Sequence, residues 1–143
     1  MEATELAKIR EFFRGDRYAV LSGFVIESVE GDTATCSFEI QDFHLNAVNT
    51  VMGGATFALA DFAFAVACNA AYLRGTGAMT MAASNNIQYL RSPGGGKLTA
   101  RAVPLQCGRR MCFYRVEVTD GQGNLVAEMT CTGCRKQTLE KGL

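Results

Sequence analysis

Residues 53–73 read GGATFALADFAFAVACNAAYL, and Asp61 is the one residue among them that ionises near neutral pH. Its neighbours are small, aromatic or aliphatic. An unpaired carboxylate among apolar groups is costly, and such groups cluster at functional sites. There Asp61 could act as a base toward water or as a nucleophile. The competing role is a structural acceptor for a loop amide or hydroxyl. The pair Gly53-Gly54 opens the stretch. Paired glycines let a ligand approach the backbone, or simply permit close packing. His44, the only histidine, and Asn46 stand shortly before. His44 could support its loop instead of meeting a ligand, and Asn46 could be a turn residue.

Six cysteines are present: Cys36, Cys68, Cys107, Cys112, Cys131 and Cys134. Cys131-Thr-Gly-Cys134 has CxxC spacing, and Cys107 and Cys112 could complete four zinc ligands. A redox CxxC opens a helix after a strand, whereas this pair ends the β-like run VAEMTCTGC. Buried small residues are the better reading, so no metal and no cofactor are expected.

Fourteen basic residues balance fourteen acidic ones, which leaves no general attraction to nucleic acid or an anionic membrane. The apolar stretch is long enough to span a bilayer, but its central Asp argues against that. The N-terminal segment is charged throughout and reads as no export signal. A soluble cytoplasmic protein with reduced thiols is expected. The 143 residues, 48% hydrophobic, fit a single domain spanning 1–143.

These groups need elements to position them. TELAKIREFF (4–13) has helical spacing, with Thr4 as a cap and Gly15 as a stop. Residues 18–30 alternate loosely and predict a strand; a Gly-Asp turn at 31–32 and a second strand, TATCSFEI, follow. Residues 41–52 read as a loop. The apolar helix runs from Gly53 or Gly54 to about Leu73, with Phe57, Ala58, Asp61, Phe64, Ala65 and Cys68 on one face. RGTG at 74–77 ends it. Strands are predicted at 80–91, 97–106, 111–120 and 124–133, and the tail KQTLEKGL is polar. A helix apolar all round must be covered all round, so one antiparallel sheet should curl around it, giving an α+β fold.

The stretch HLNAVNTVMGGATFALADFAFAVACNA resembles the signature of hotdog-fold acyl-CoA thioesterases, in the phenylacetate-pathway (PaaI-like) branch of the 4-hydroxybenzoyl-CoA thioesterase superfamily. That pattern is roughly H-x-N-x-x-G-x-x-H-G-G, then about seven residues, then Asp. NIQYLRSP at 86–93 resembles the strand that follows the family's helix. The resemblance implies a hotdog fold, with a curved antiparallel sheet around a long central helix. His44 and Asn46 match the leading H-x-N, Gly53 and Gly54 the paired glycines, and Asp61 the catalytic carboxylate. Two positions depart from the pattern: Asn49 replaces the usual Gly, and Met52 the usual His. The resemblance also implies a homodimer, often paired into a homotetramer.

Thioester hydrolysis needs a donor for the charge that develops on the carbonyl oxygen. The free N–H groups at a helix start can supply it, so Gly53 is the candidate amide, with the Asn46 side chain beside it. Gly53 and Asp61 lie about 12 Å apart along one helix and cannot both reach one carbonyl. Two antiparallel helices related by a two-fold near Phe57 would bring Gly53 of one subunit to Asp61 of the other. Ser84 falls near where some relatives carry a hydroxyl that orients water. Arg91, Lys97, Arg109 and Arg110 are candidates for the CoA phosphates, or are solvated turn charges. Met52, Leu59 and Phe57, Phe62 and Phe64 could line the acyl pocket or belong to the core. Two other functions remain: a non-catalytic acyl-CoA-binding module, and a hydratase or dehydratase. The second wants a His beside its carboxylate, which the Met52 departure disfavours.

Overall fold

A computed structural model describes residues 3–136 of the chain. The element order is α1 (Ala3–Phe13), α2 (Arg17–Ser22), β1 (Val25–Glu30), β2 (Thr33–Glu39), α3 (Gly53–Leu73), β3 (Met79–Tyr89), β4 (Lys97–Cys107), β5 (Met111–Asp120) and β6 (Leu125–Lys136). The predicted tail falls almost wholly outside the described residues.

The six strands form one antiparallel sheet in the order β1-β2-β4-β5-β6-β3. Its concave face packs on α3, as the resemblance implied. Leu59, Ala60, Ala63, Val66, Ala67 and Ala70 of the helix are wholly buried. Alanine at so many positions lets the sheet come close, and it is also the best helix former. By length and composition α3 could cross a membrane, yet most of it is buried inside the protein.

One sequence expectation fails. Residues 18–22 are not strand; they form α2. Ala19 and Ser22, three apart, face inward, while Tyr18, Val20 and Leu21 are exposed. Gly23 ends the turn at φ 78°, and its N–H bonds back to the carbonyls of Ala19 and Val20. Asp16, Gly23 and the short apolar run between them carry both readings, because six residues are too few to separate the two periods.

Gly133 shows how tightly helix and sheet meet. A Cβ there would stand 2.5 Å from Thr80 Cγ2 and 3.1 Å from Phe64 Cζ. Gly133→Ala should therefore lower stability by about 1–3 kcal/mol through overpacking. A fall in the urea midpoint at constant slope checks this.

Two features are left uncovered. Gly54, Phe57, Ala58, Asp61 and Ala65 form a partly exposed stripe along α3. Strand β3, eleven residues long, is a sheet edge, and most of its residues are exposed. A long unpaired edge is a ready template for another strand.

Candidate active site

Asp61 sits midway along the exposed stripe of α3. Asn85 Nδ2 donates to its Oδ1 at 2.7 Å. Cavities open on either side of the carboxylate. One, of about 410 Å³, is lined by Asp16, Tyr18, Phe24, Ala58 and Phe62 as well as Asp61. The other, about 340 Å³, runs between α1 and β3 past Phe12, Phe64, Met79 and Met81. Asp16 lines both. Burial pushes its carboxyl above the ordinary value, and the negative charge of Asp61 adds to the effect.

Gly53 opens α3. Met52, the residue before it, makes no side-chain cap. The first helical bonds run from Ala55 and Thr56 back to the Met52 carbonyl. The Gly53 and Gly54 N–H groups consequently have no partner among the described residues. They point out of the positive end of a long helix, where an anionic oxygen is favoured. Tyr89 lies against this turn: its hydroxyl donates to the Gly53 carbonyl at 2.9 Å. A Cβ on Gly53 would stand 3.2 Å from the Tyr89 ring, so glycine leaves room for the tyrosine. Gly53 and Tyr89 line a cavity of about 280 Å³ together with Arg91. Gly53 and Asp61 thus face different cavities of one chain.

The loop before α3 is built by its polar side chains. Asn46 Oδ1 accepts the N–H groups of Val48 and Thr50 at 3.0 and 3.2 Å. That bond pattern closes a turn and leaves only the Nδ2 amide for a ligand. Asn49 has φ 61°, the left-handed region that favours glycine and next admits asparagine. Its departure from the glycine pattern keeps the backbone shape. His44 is buried between Phe38 and Phe43. Its Nδ1 accepts the Gln41 N–H and its Nε2 donates to the Ser22 carbonyl, both at 2.9 Å. Both ring nitrogens are taken up within the fold.

Met52 is 57% exposed and borders a separate cleft with Tyr18, Leu21 and Phe43. Leu59 is core, while Phe62 and Phe64 reach the cavities beside Asp61. Strand alternation puts Ser84 on the face opposite Asn85, so Asn85 is the neighbour of Asp61 on this strand. A bulge between Ala82 and Ser84 shifts the register there, which no sequence period reveals.

The basic residues separate. Arg91 shares the Gly53 cavity. Lys97 pairs with Glu27 at 3.1 Å. Arg109 and Arg110 sit in the β4–β5 turn, beside the Met79 end of the sheet. With β3 about 33 Å long, they and Arg91 lie at opposite ends of one subunit.

The two cysteines of the CxxC spacing do not share a face. Cys131 is buried and Cys134 exposed, three residues apart on β6 and so on opposite faces. Burial pushes the Cys131 thiol up to about 12, far from a reactive thiolate. Among the described residues no cluster of three metal-ligating side chains occurs.

The sequence profile described as thioesterase superfamily matches residues 48–127, more than half of the chain. The chain is 32% identical over 117 residues to acyl-coenzyme A thioesterase PaaI of Escherichia coli K12, covering 80% of this chain and 79% of that protein. It superposes on the solved structure of the E. coli PaaI protein from the phenylacetic acid degradation operon with a TM-score of 0.83 and 28% identity. That match covers 92% of this chain and 93% of the other. A mutant of the phenylacetic acid degradation protein PaaI from Thermus thermophilus matches with a TM-score of 0.76 and 36% identity, over 85% of this chain and 100% of that one.

Proposed function

This chain belongs to the thioesterase superfamily, in its PaaI-like hotdog branch, and from that premise we propose that it hydrolyses acyl-CoA to a free acid and CoA at a site shared by two subunits. The observation that carries this reading is the pairing, on one helix, of a carboxylate beside apolar cavities with an open N-terminal amide. In the proposed reaction the thioester oxygen accepts the Gly53 N–H, which stabilises the charge that develops there. Asp61 then acts by one of two routes. It takes a proton from water while the water oxygen bonds to the carbonyl carbon. Alternatively, its own oxygen attacks to form a mixed anhydride that water cleaves. In both, the C–S bond breaks and CoA leaves as the thiolate, which takes up the proton given up by water.

Two subunits are needed because Gly53 and Asp61 are about 12 Å apart on α3. The partly exposed stripe of α3 and the open edge of β3 give a second copy two surfaces to cover. The pairing has a definite centre. Tyr89 lies beside Gly53 and Asn85 beside Asp61. A two-fold that joins Gly53 to the opposite Asp61 therefore passes near Phe57 on the helix and Ile87 on the strand. Each site would take Asp61 from one subunit and Gly53 from its partner. Arg91 and Met52, which flank Gly53, would come with the amide. Arg91 would meet a CoA phosphate, and Met52 the acyl side of the thioester. This active unit is a homodimer, able to pair into a homotetramer, built from a single hotdog domain over residues 1–143.

The test is thiol release across a panel of acyl-CoAs. CoA should be released, fastest from apolar and arylacetyl thioesters that suit cavities walled by Phe and Met. Tight binding of the panel with no release would make the protein an acyl-CoA-binding module and sink the catalytic reading.

A further inference from the structure

Asn85 is the residue of β3 whose side chain bonds to Asp61. Its Nδ2–H reaches Asp61 Oδ1 at 2.7 Å. An ionised carboxylate only accepts, so the amide nitrogen must be the atom that faces it. The Asn85 oxygen is thereby turned away, and it is buried with no hydrogen-bond partner among the described residues. A buried acceptor without a donor costs stability, so the bond to Asp61 is kept at some expense to the fold.

The bond also has a mechanical consequence. Asp61 is flanked by two cavities and faces the like charge of Asp16. One strong bond to Oδ1 fixes the rotation of the carboxylate against that repulsion. It leaves Oδ2 for the reaction.

We propose that Asn85 is a positioning residue that holds the Asp61 carboxylate in its reactive orientation. The inference rests on the reading of Asp61 as the reacting carboxylate. Asn85 itself touches neither the thioester nor the water; it acts through Asp61.

The experiment is steady-state kinetics of Asn85→Leu, alone and combined with Asp61→Asn, on the best thioester of the panel. Leucine keeps the volume and removes the donor. Asn85→Leu should lose about 10–100-fold in kcat, the scale of a misplaced reacting group, with KM within about two-fold. In the double variant the loss should not add to that of Asp61→Asn, because the bond serves only the carboxylate. Asn85→Asp supplies a second readout, and serves alone if the leucine variant does not fold. Two facing carboxyls share a proton as pH falls, and the protonated one is again a donor. Its kcat relative to wild type should therefore recover as pH falls.

Wild-type kcat in Asn85→Leu, a loss that adds fully to that of Asp61→Asn, or an Asn85→Asp ratio flat with pH would each overturn the proposal. The two readings fail separately. Near-normal turnover in Asp61→Asn removes the catalytic reading beneath it. An inactive Asp61→Asn beside a fully active Asn85→Leu removes only the positioning role.

Discussion

Asp61→Asn should keep the fold and lower turnover by about 10²–10⁴-fold, the range for loss of a positioned base. The fold should survive because the new side-chain amide still offers an oxygen to Asn85 Nδ2, at the place where the carboxylate now accepts at 2.7 Å. Substrate affinity should hold, since the proposed carbonyl donor is the Gly53 N–H and the cavity walls are unchanged. The measurement is kcat and KM by thiol release, with a thermal unfolding curve as the control. Turnover within about three-fold of wild type would return Asp61 to the role of a structural acceptor and leave the proposed chemistry without its base.

Mixing two inactive chains should restore activity. One chain carries Asp61→Asn; the other carries Gly53→Val, which covers the open amide and displaces Tyr89 from its 3.2 Å approach. In a mixed dimer one site receives both defects. The other receives an intact Asp61 from one chain and an intact Gly53 from its partner. Purified heterodimer should therefore show about half the wild-type turnover, and an equilibrated equal mixture about a quarter. Measured against the near-zero rates of either chain alone, this is a gain of at least about 10-fold. A mixture no more active than its parents, with heterodimer shown to be present, would rule out a site built from Gly53 of one subunit and Asp61 of the other.

Much of this protein is legible from local pattern. The bounds of α3, Gly53 to Leu73, follow from paired glycines, a long run of apolar residues and the RGTG stop. The four later strands follow from β-rich runs between glycine turns. Asp61 stands out by chemistry alone, as a charge where burial would make one expensive. Local pattern fails where a segment is short, as in α2, whose six residues carry too little period to tell helix from strand. At the CxxC spacing the reading as buried small residues holds for Cys131 but not for Cys134, which is exposed. There the reason for Gly133 is the approach of Phe64 and Thr80, which come from distant parts of the chain.

The contacts around the candidate site are long-range, and only the tertiary structure decided them. Asn85 lies 24 residues from Asp61, and Tyr89 lies 36 from Gly53. Strand β3 reaches both because it runs antiparallel to α3 at the edge of the sheet, beside β6 rather than beside its sequence neighbour β4. A sequence states which groups can react. Which atoms meet depends on strand order, on the bulge between Ala82 and Ser84, and on the face each side chain then takes. Those are set by the packing of the whole core, so the choice of Asn85 over Ser84 could be made only after the chain was folded.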